Sequence, residues 1–84
     1  MANERHVRAI YDRALAKPAS LKFRDLCVLA KGAGFRLDRV SGSHHIFLHP
    51  NPKCLLNIQD VRGQAKPYQV RQLLKMIEEF QLLG

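Results

Sequence analysis

Between Glu4 and Ala16, the residues Val7, Ile10, Tyr11 and Ala14 recur at helical spacing with Arg5, Arg8, Asp12 and Arg13 between them. This is the pattern of an amphipathic helix, stopped ahead of Pro18. Ser20 is placed to cap a second helix over about 21–31, in which Leu26, Leu29, Ala30 and Ala33 repeat the pattern up to a stop at Gly32-Ala33-Gly34. From Phe35 the period changes to that of strands. Segments 35–40, 44–49 and 54–59 are separated by Ser41-Gly42-Ser43 and by Pro50-Asn51-Pro52-Lys53, which predicts an antiparallel meander. A third helix begins near Pro67, with Val70, Leu73, Leu74, Ile77 and Phe80 on its apolar face. The predicted order is α-α-β-β-β-α, an α+β fold.

Three strands bury only one face against helices. The short connection from Pro50 to Lys53 pairs His49 with Cys54, and therefore Phe47 with Leu56, His45 with Ile58 and His44 with Gln59. In that register His45, Phe47, Leu56 and Ile58 face the helices. His44, Ile46, Leu48, Leu55, Asn57 and Gln59 lie on the open face. A slip of one residue would exchange the two histidines.

The length of 84 residues predicts a single domain, 1–84, without room for a large enclosed pocket. Fourteen Lys and Arg against seven Asp and Glu leave a net charge of +7. That excess favours nucleic acid, an acidic protein or an anionic membrane surface as partner, without choosing among them. Cys27 and Cys54 form no CxxC pair, so a reduced, cytoplasmic protein is expected, with both cysteines in or near the core. No apolar run approaches the ~18 residues of a membrane span. A zinc site from His45, His49 and Cys54 lacks a fourth ligand, and neither metal nor cofactor is expected.

The candidate chemistry lies at Gly42-Ser43-His44-His45. A histidine that opens a strand after a Gly-Ser turn stands on a rigid sheet with open access on one side. Imidazole exchanges a proton near neutral pH, as cleavage of RNA by its own 2′-OH requires. The reaction also needs a cation at the phosphate, and Arg36, Arg39, Lys53, Arg62 and Lys66 are the nearby cations in sequence. A lone strand histidine is more often a packed or surface residue. Because alternation sends neighbours to opposite faces, His45 is read as structural, and His49, ahead of Pro50, as a turn residue. Asp60 is the better candidate to orient His44, since Asp38 pairs more simply with Arg36 or Arg39. Tyr68, between Lys66 and Arg71, is a candidate for base stacking. The first helix's arginines read most economically as a solvated face.

The run Gly34 to Pro50, with Gly-Ser-His at residues 42–44 and His-Pro at 49–50, is followed by 57–71, in which Lys66-Pro67 enters the last helix. Over about 20–82 this order and spacing resembles the HicA family of toxins from toxin–antitoxin pairs. The resemblance implies a double-stranded-RNA-binding-like fold and a metal-independent ribonuclease that cleaves mRNA and arrests translation. It implies that the histidine directly after Gly42-Ser43, His44, is catalytic. It further implies a HicB-type antitoxin that covers the active face, where Ile46, Leu48 and Leu55 lie. Gly42, Ser43, His45 and Asp60 are candidate supporting residues. The helix at 4–16 is an extension beyond this core, able to add to the core, bind RNA or contact the antitoxin. The competing reading is a non-catalytic RNA- or protein-binding module on the same fold.

Overall fold

The computed structural model describes residues 3–84. Helix α1 (Glu4–Ala16) is followed by a 3-10 turn (Pro18–Ser20), α2 (Phe23–Gly32), β1 (Arg36–Ser41), β2 (His44–Pro50), β3 (Lys53–Gln59) and α3 (Pro67–Phe80). The strands form one antiparallel sheet in the order β1-β2-β3. Both the α+β class and the order α-α-β-β-β-α are therefore those expected. Phe47, Leu56 and Ile58 are at most 1% exposed and share a core with Leu26, Leu29, Val70 and Leu73 of the helices. Leu48 and Leu55, of opposite strand parity, are 41% and 51% exposed. The helices thus cover one face of the sheet and leave the other open.

Helix α1 is capped by Asn3, whose Oδ1 accepts the His6 N–H at 2.8 Å. Its Val7, Ile10 and Ala14 are buried in the same core as α2 and α3, so this extension enlarges the core. Arg5 and Arg8 are exposed as a solvated face requires, whereas Arg13 bonds Asp25 of α2 at 3.1 Å. Helix α1 packs closely on α2 at Gly32, where an added Cβ would stand 2.6 Å from Val7 Cγ1. Gly32→Ala gains about 1 kcal/mol of helix propensity. It loses about 1–3 kcal/mol to overpacking against a stiff β-branched side chain, and the expected net outcome is a lower melting temperature. A thermal melt beside Gly32→Ala combined with Val7→Ala, which restores the space, checks this.

Helix α2 starts later than the sequence pattern predicts, and Ser20 does not cap it. The Ser20 hydroxyl donates to the Lys17 carbonyl at 2.9 Å and closes the 3-10 turn. At the actual start, Phe23 N–H donates to the Gly63 carbonyl at 2.9 Å, so a tertiary partner replaces the side-chain cap. The helix ends as the Gly32-Ala33-Gly34 stop predicts. Gly34 N–H bonds Lys31 O, Phe35 N–H bonds Ala30 O, and Gly34 takes φ +98°. This is a Schellman cap, with Phe35 and Ala30 buried together beneath it.

His49 is more than a turn residue. Its Nδ1 accepts the Asn51 N–H at 3.1 Å, which is the turn bond, but its Nε2 donates to the Ala33 carbonyl at 3.0 Å. The ring is 8% exposed and packs edge-on to Phe35, 5.0 Å between centroids. It therefore ties the end of β2 to the end of α2. Phe80, expected on the apolar face of α3, is 41% exposed. The helix stops there: Gln81 turns left-handed and Leu82 folds back, its N–H on the Ile77 carbonyl, to pack against the core.

Pairing of β2 with β3 follows the register read from the sequence, His44–Gln59 through His49–Cys54, and continues to Pro50–Lys53. Strand β1 pairs with β2 through a register shift at Asp38, between Leu37–Phe47 and Arg39–Ile46. All six β1 residues are exposed, so this edge lies outside the helical cover.

Candidate active site

His44 enters β2 from a two-residue turn. Ser41 and His44 are paired, and Gly42 between them takes φ +61°, the left-handed value at the first turn position of a type II′ hairpin. The turn is held by the neighbouring strand end. Ser43 O accepts the Asp60 N–H at 2.9 Å, and Ser43 Oγ accepts from Gln59 Nε2 at 3.1 Å. His44 is half-buried on the open face, and its Nδ1 lies 3.1 Å from Asn57 Oδ1 on β3. Because His44 pairs with Gln59 and Ile46 with Asn57, this is a diagonal contact across one face.

Asp60 does not orient His44. Its Oδ1 is taken by the Gly63 N–H within the turn formed by Arg62 (φ 54°) and Gly63 (φ 84°), which closes the Val61–Gln64 pair. The turn with two left-handed residues holds the Asp60 carboxylate, and the amide of Asn57 stands at the imidazole instead. His45, on the helix-facing side, packs edge-on to Phe23 at 4.7 Å. Its Nδ1 is buried without a hydrogen-bond partner.

The candidate cations divide by distance. By pairing parity Arg36, Arg39 and Lys53 share the open face with His44. Arg39, opposite Ile46, is one diagonal step from His44, within about 8 Å at the Cβ atoms. Its only ion-pair partner among the described residues is Asp38 at 3.9 Å, well exposed, which leaves the guanidinium available. Arg36 lies opposite Leu48, about 13 Å along the strand, and Lys53 is at the far end, about 20 Å away. The sequence neighbourhood of Lys53 is thus not a spatial one. On the other side, buried Gln69 of α3 accepts the Gln59 N–H with Oε1 at 2.8 Å and donates Nε2 to Tyr68 Oη at 3.2 Å. Tyr68 is 60% exposed, with Lys66 Nζ 5.9 Å from its ring centroid. Lys66 and Tyr68 therefore stand at the His44 end of β3. Arg62 sits exposed at the turn tip, and Arg71 is exposed on α3.

A half-buried imidazole on an open sheet face, a diagonal arginine and a Gly-Ser turn behind the ring thus lie together at one end of the sheet. The family model described as the HicA toxin of bacterial toxin–antitoxin systems matches residues 23–78, from the start of α2 almost to the end of α3. The chain belongs to the HicA toxin family. As a HicA toxin it is one half of a toxin–antitoxin pair, and membership implies a cognate antitoxin and an RNA target. Comparisons with curated proteins and with solved structures returned no match. Helix α1 lies outside the matched HicA segment.

Two further residues, Asn57 and Gln69, stand in this cluster, and neither was singled out from the sequence for the hydrogen bonds it makes. Asn57 is the hydrogen-bond partner of His44, a role readable from the register alone, which puts it on the same face one pair along. Gln69 has no sequence signal beyond a polar residue on an otherwise apolar helix face.

His49 has both ring nitrogens committed, and among the described residues no cluster of three metal-ligating side chains occurs. No helix among them is long and apolar enough to cross a membrane. Burial pushes the Cys27 thiol up to about 11, with Lys31 pulling it down and Asp60 adding to the rise; burial also raises Cys54. At about pH 8 the Cys27 thiolate is then about one part in a thousand. In the folded protein it is expected to resist alkylation that goes to completion in denaturant, and mass spectrometry after a timed iodoacetamide pulse checks this.

Proposed function

We propose that this HicA toxin is a ribonuclease that cleaves mRNA by transesterification, with His44 as its proton-transfer group and a HicB-type antitoxin as its inhibitor. His44 takes the 2′-OH proton, and the 2′-oxygen attacks the adjacent phosphorus. The bond from phosphorus to the 5′-oxygen breaks, leaving a 2′,3′-cyclic phosphate, and the 5′-oxygen takes a proton from a second donor. Arg39 neutralises the scissile phosphate, with Lys66 and Arg62 receiving the flanking backbone and Tyr68 a base. None of these steps calls for a metal. The observation that carries the reading is the placement of His44: half-buried, on the open face, hydrogen-bonded through Nδ1, one diagonal step from Arg39.

The open face also supports the antitoxin. Leu48 and Leu55, rimmed by Arg36, Arg39 and Lys53, form an apolar patch beside the site that an inhibitor with an acidic rim would cover. Induced expression tests the proposal. Growth arrest with loss of total message, relieved by a co-expressed HicB-type antitoxin, is the expected result. A well-expressed protein that leaves both growth and message intact points to the non-catalytic binding module.

A further inference from the structure

We propose that Asn57 is a positioning residue that fixes the tautomer of His44, keeping the ring proton on Nδ1 and leaving Nε2 as a bare proton acceptor. This rests on the reading of His44 as the proton-transfer group. An amide oxygen only accepts, so the 3.1 Å contact from His44 Nδ1 to Asn57 Oδ1 requires a hydrogen on Nδ1. In a neutral imidazole the other nitrogen is then unprotonated. The strand that carries Asn57 is itself fixed, because the Gln59 N–H is held by Gln69 Oε1 and the Gln59 amide by Ser43 Oγ. Asn57 thus belongs to a braced framework around the Gly-Ser turn.

The consequence is a division of labour. With Nε2 bare, His44 begins the reaction as the base that receives the 2′-OH proton. When the ring is charged, the bond from Nδ1–H to Oδ1 persists and the ring does not turn. The proton for the departing 5′-oxygen comes from another donor. Asp60, which follows the end of β3 paired with His44, has its Oδ1 held by the Gly63 N–H, so a neutral amide orients the base.

The test reads the tautomer directly. Protein labelled with nitrogen-15 histidine is recorded without RNA at about pH 8.5, well above the ~6.5 at which histidine ordinarily titrates. His44 is expected to show a protonated Nδ1 and an unprotonated Nε2. Asn57→Leu should shift the ring toward protonated Nε2 and lower the cleavage rate of a fluorogenic single-stranded oligoribonucleotide by about tenfold, which is ~1.4 kcal/mol and the scale of one hydrogen bond. Asn57→Asp, which retains the acceptor oxygen, should keep the wild-type tautomer and restore most of the rate. A protonated Nε2 in the wild type, or an unchanged tautomer in Asn57→Leu, overturns the proposal, as does an unchanged rate once the tautomer has switched. The spectrum is read without RNA, so a protein that cleaves nothing would sink the ribonuclease reading while the tautomer assignment is still judged on its own.

Discussion

Replacing His44 by alanine is expected to lower the rate of RNA cleavage by about 10²–10⁴-fold, the usual contribution of a positioned acid or base. The melting temperature should fall by only about 4–8 °C. The ring is half-buried on the open face and makes one side-chain hydrogen bond, to Asn57, worth about 1 kcal/mol at a site in partial contact with water. The fold does not depend on it, because Phe47, Leu56 and Ile58 hold the sheet from the opposite face. Initial rates on a purified transcript, with a circular dichroism melt of the same sample, separate the two effects. A variant that cleaves at the wild-type rate would remove His44 from the mechanism. Arrest of growth by induced His44→Ala would do so in the cell.

His49 is expected to show the reverse behaviour, a large loss of stability. Its ring donates to the last carbonyl of the α2 cap and accepts the Asn51 N–H while packing on Phe35. His49→Ala leaves the buried Ala33 carbonyl without a partner, frees the part-buried Asn51 N–H and opens a cavity. Together these cost about 3 kcal/mol. For a chain of this size that lowers the melting temperature by about 15 °C, and it is a large share of a total stability of about 4–12 kcal/mol. His49→Phe keeps the volume and the aromatic contact, so the difference between the two variants isolates packing from hydrogen bonding. Gly34→Ala attacks the same contact from the other side. Its Cβ would stand 2.7 Å from His49 Nε2, at a position whose φ of +98° already disfavours a side chain. All three variants should lose activity in proportion to unfolding, and a thermal melt showing wild-type stability for His49→Ala would contradict the role assigned to the ring.

These two histidines mark the limit of what the sequence discloses. The alternation of Phe47, Leu56 and Ile58 with Leu48 and Leu55 was readable because a strand has a strict period of two and only one face is covered. A tight turn at Asn51-Pro52 then carried the register to His44 and Gln59. The same pattern says nothing of His49, whose second partner is a carbonyl 16 residues earlier in the chain. Tertiary hydrogen bonds of this kind leave no periodic trace. The start of α2 was misplaced for a similar reason, since the Gly63 carbonyl substitutes for a cap that Ser20 was expected to provide. Leu37 and Val40 lie on the helix-facing side, opposite Phe47 and His45, yet on an edge strand beyond the helical cover they are 44% and 52% exposed, which the pattern along one strand does not disclose. Charge alone gave a list of cations but not their distances, which is why Lys53 stands with the others in sequence and about 20 Å from His44 in space.

The central claim is that His44 drives attack by the RNA's own 2′-OH. The most direct measurement is the chemistry of the cleaved ends, on a defined transcript incubated with the purified toxin in excess chelator. Cleavage with a 2′,3′-cyclic phosphate on one product and a 5′-hydroxyl on the other, abolished by one 2′-deoxy substitution at the cut, is the predicted result. A 5′-phosphate end, or a cut that survives the 2′-deoxy substitution, would contradict it.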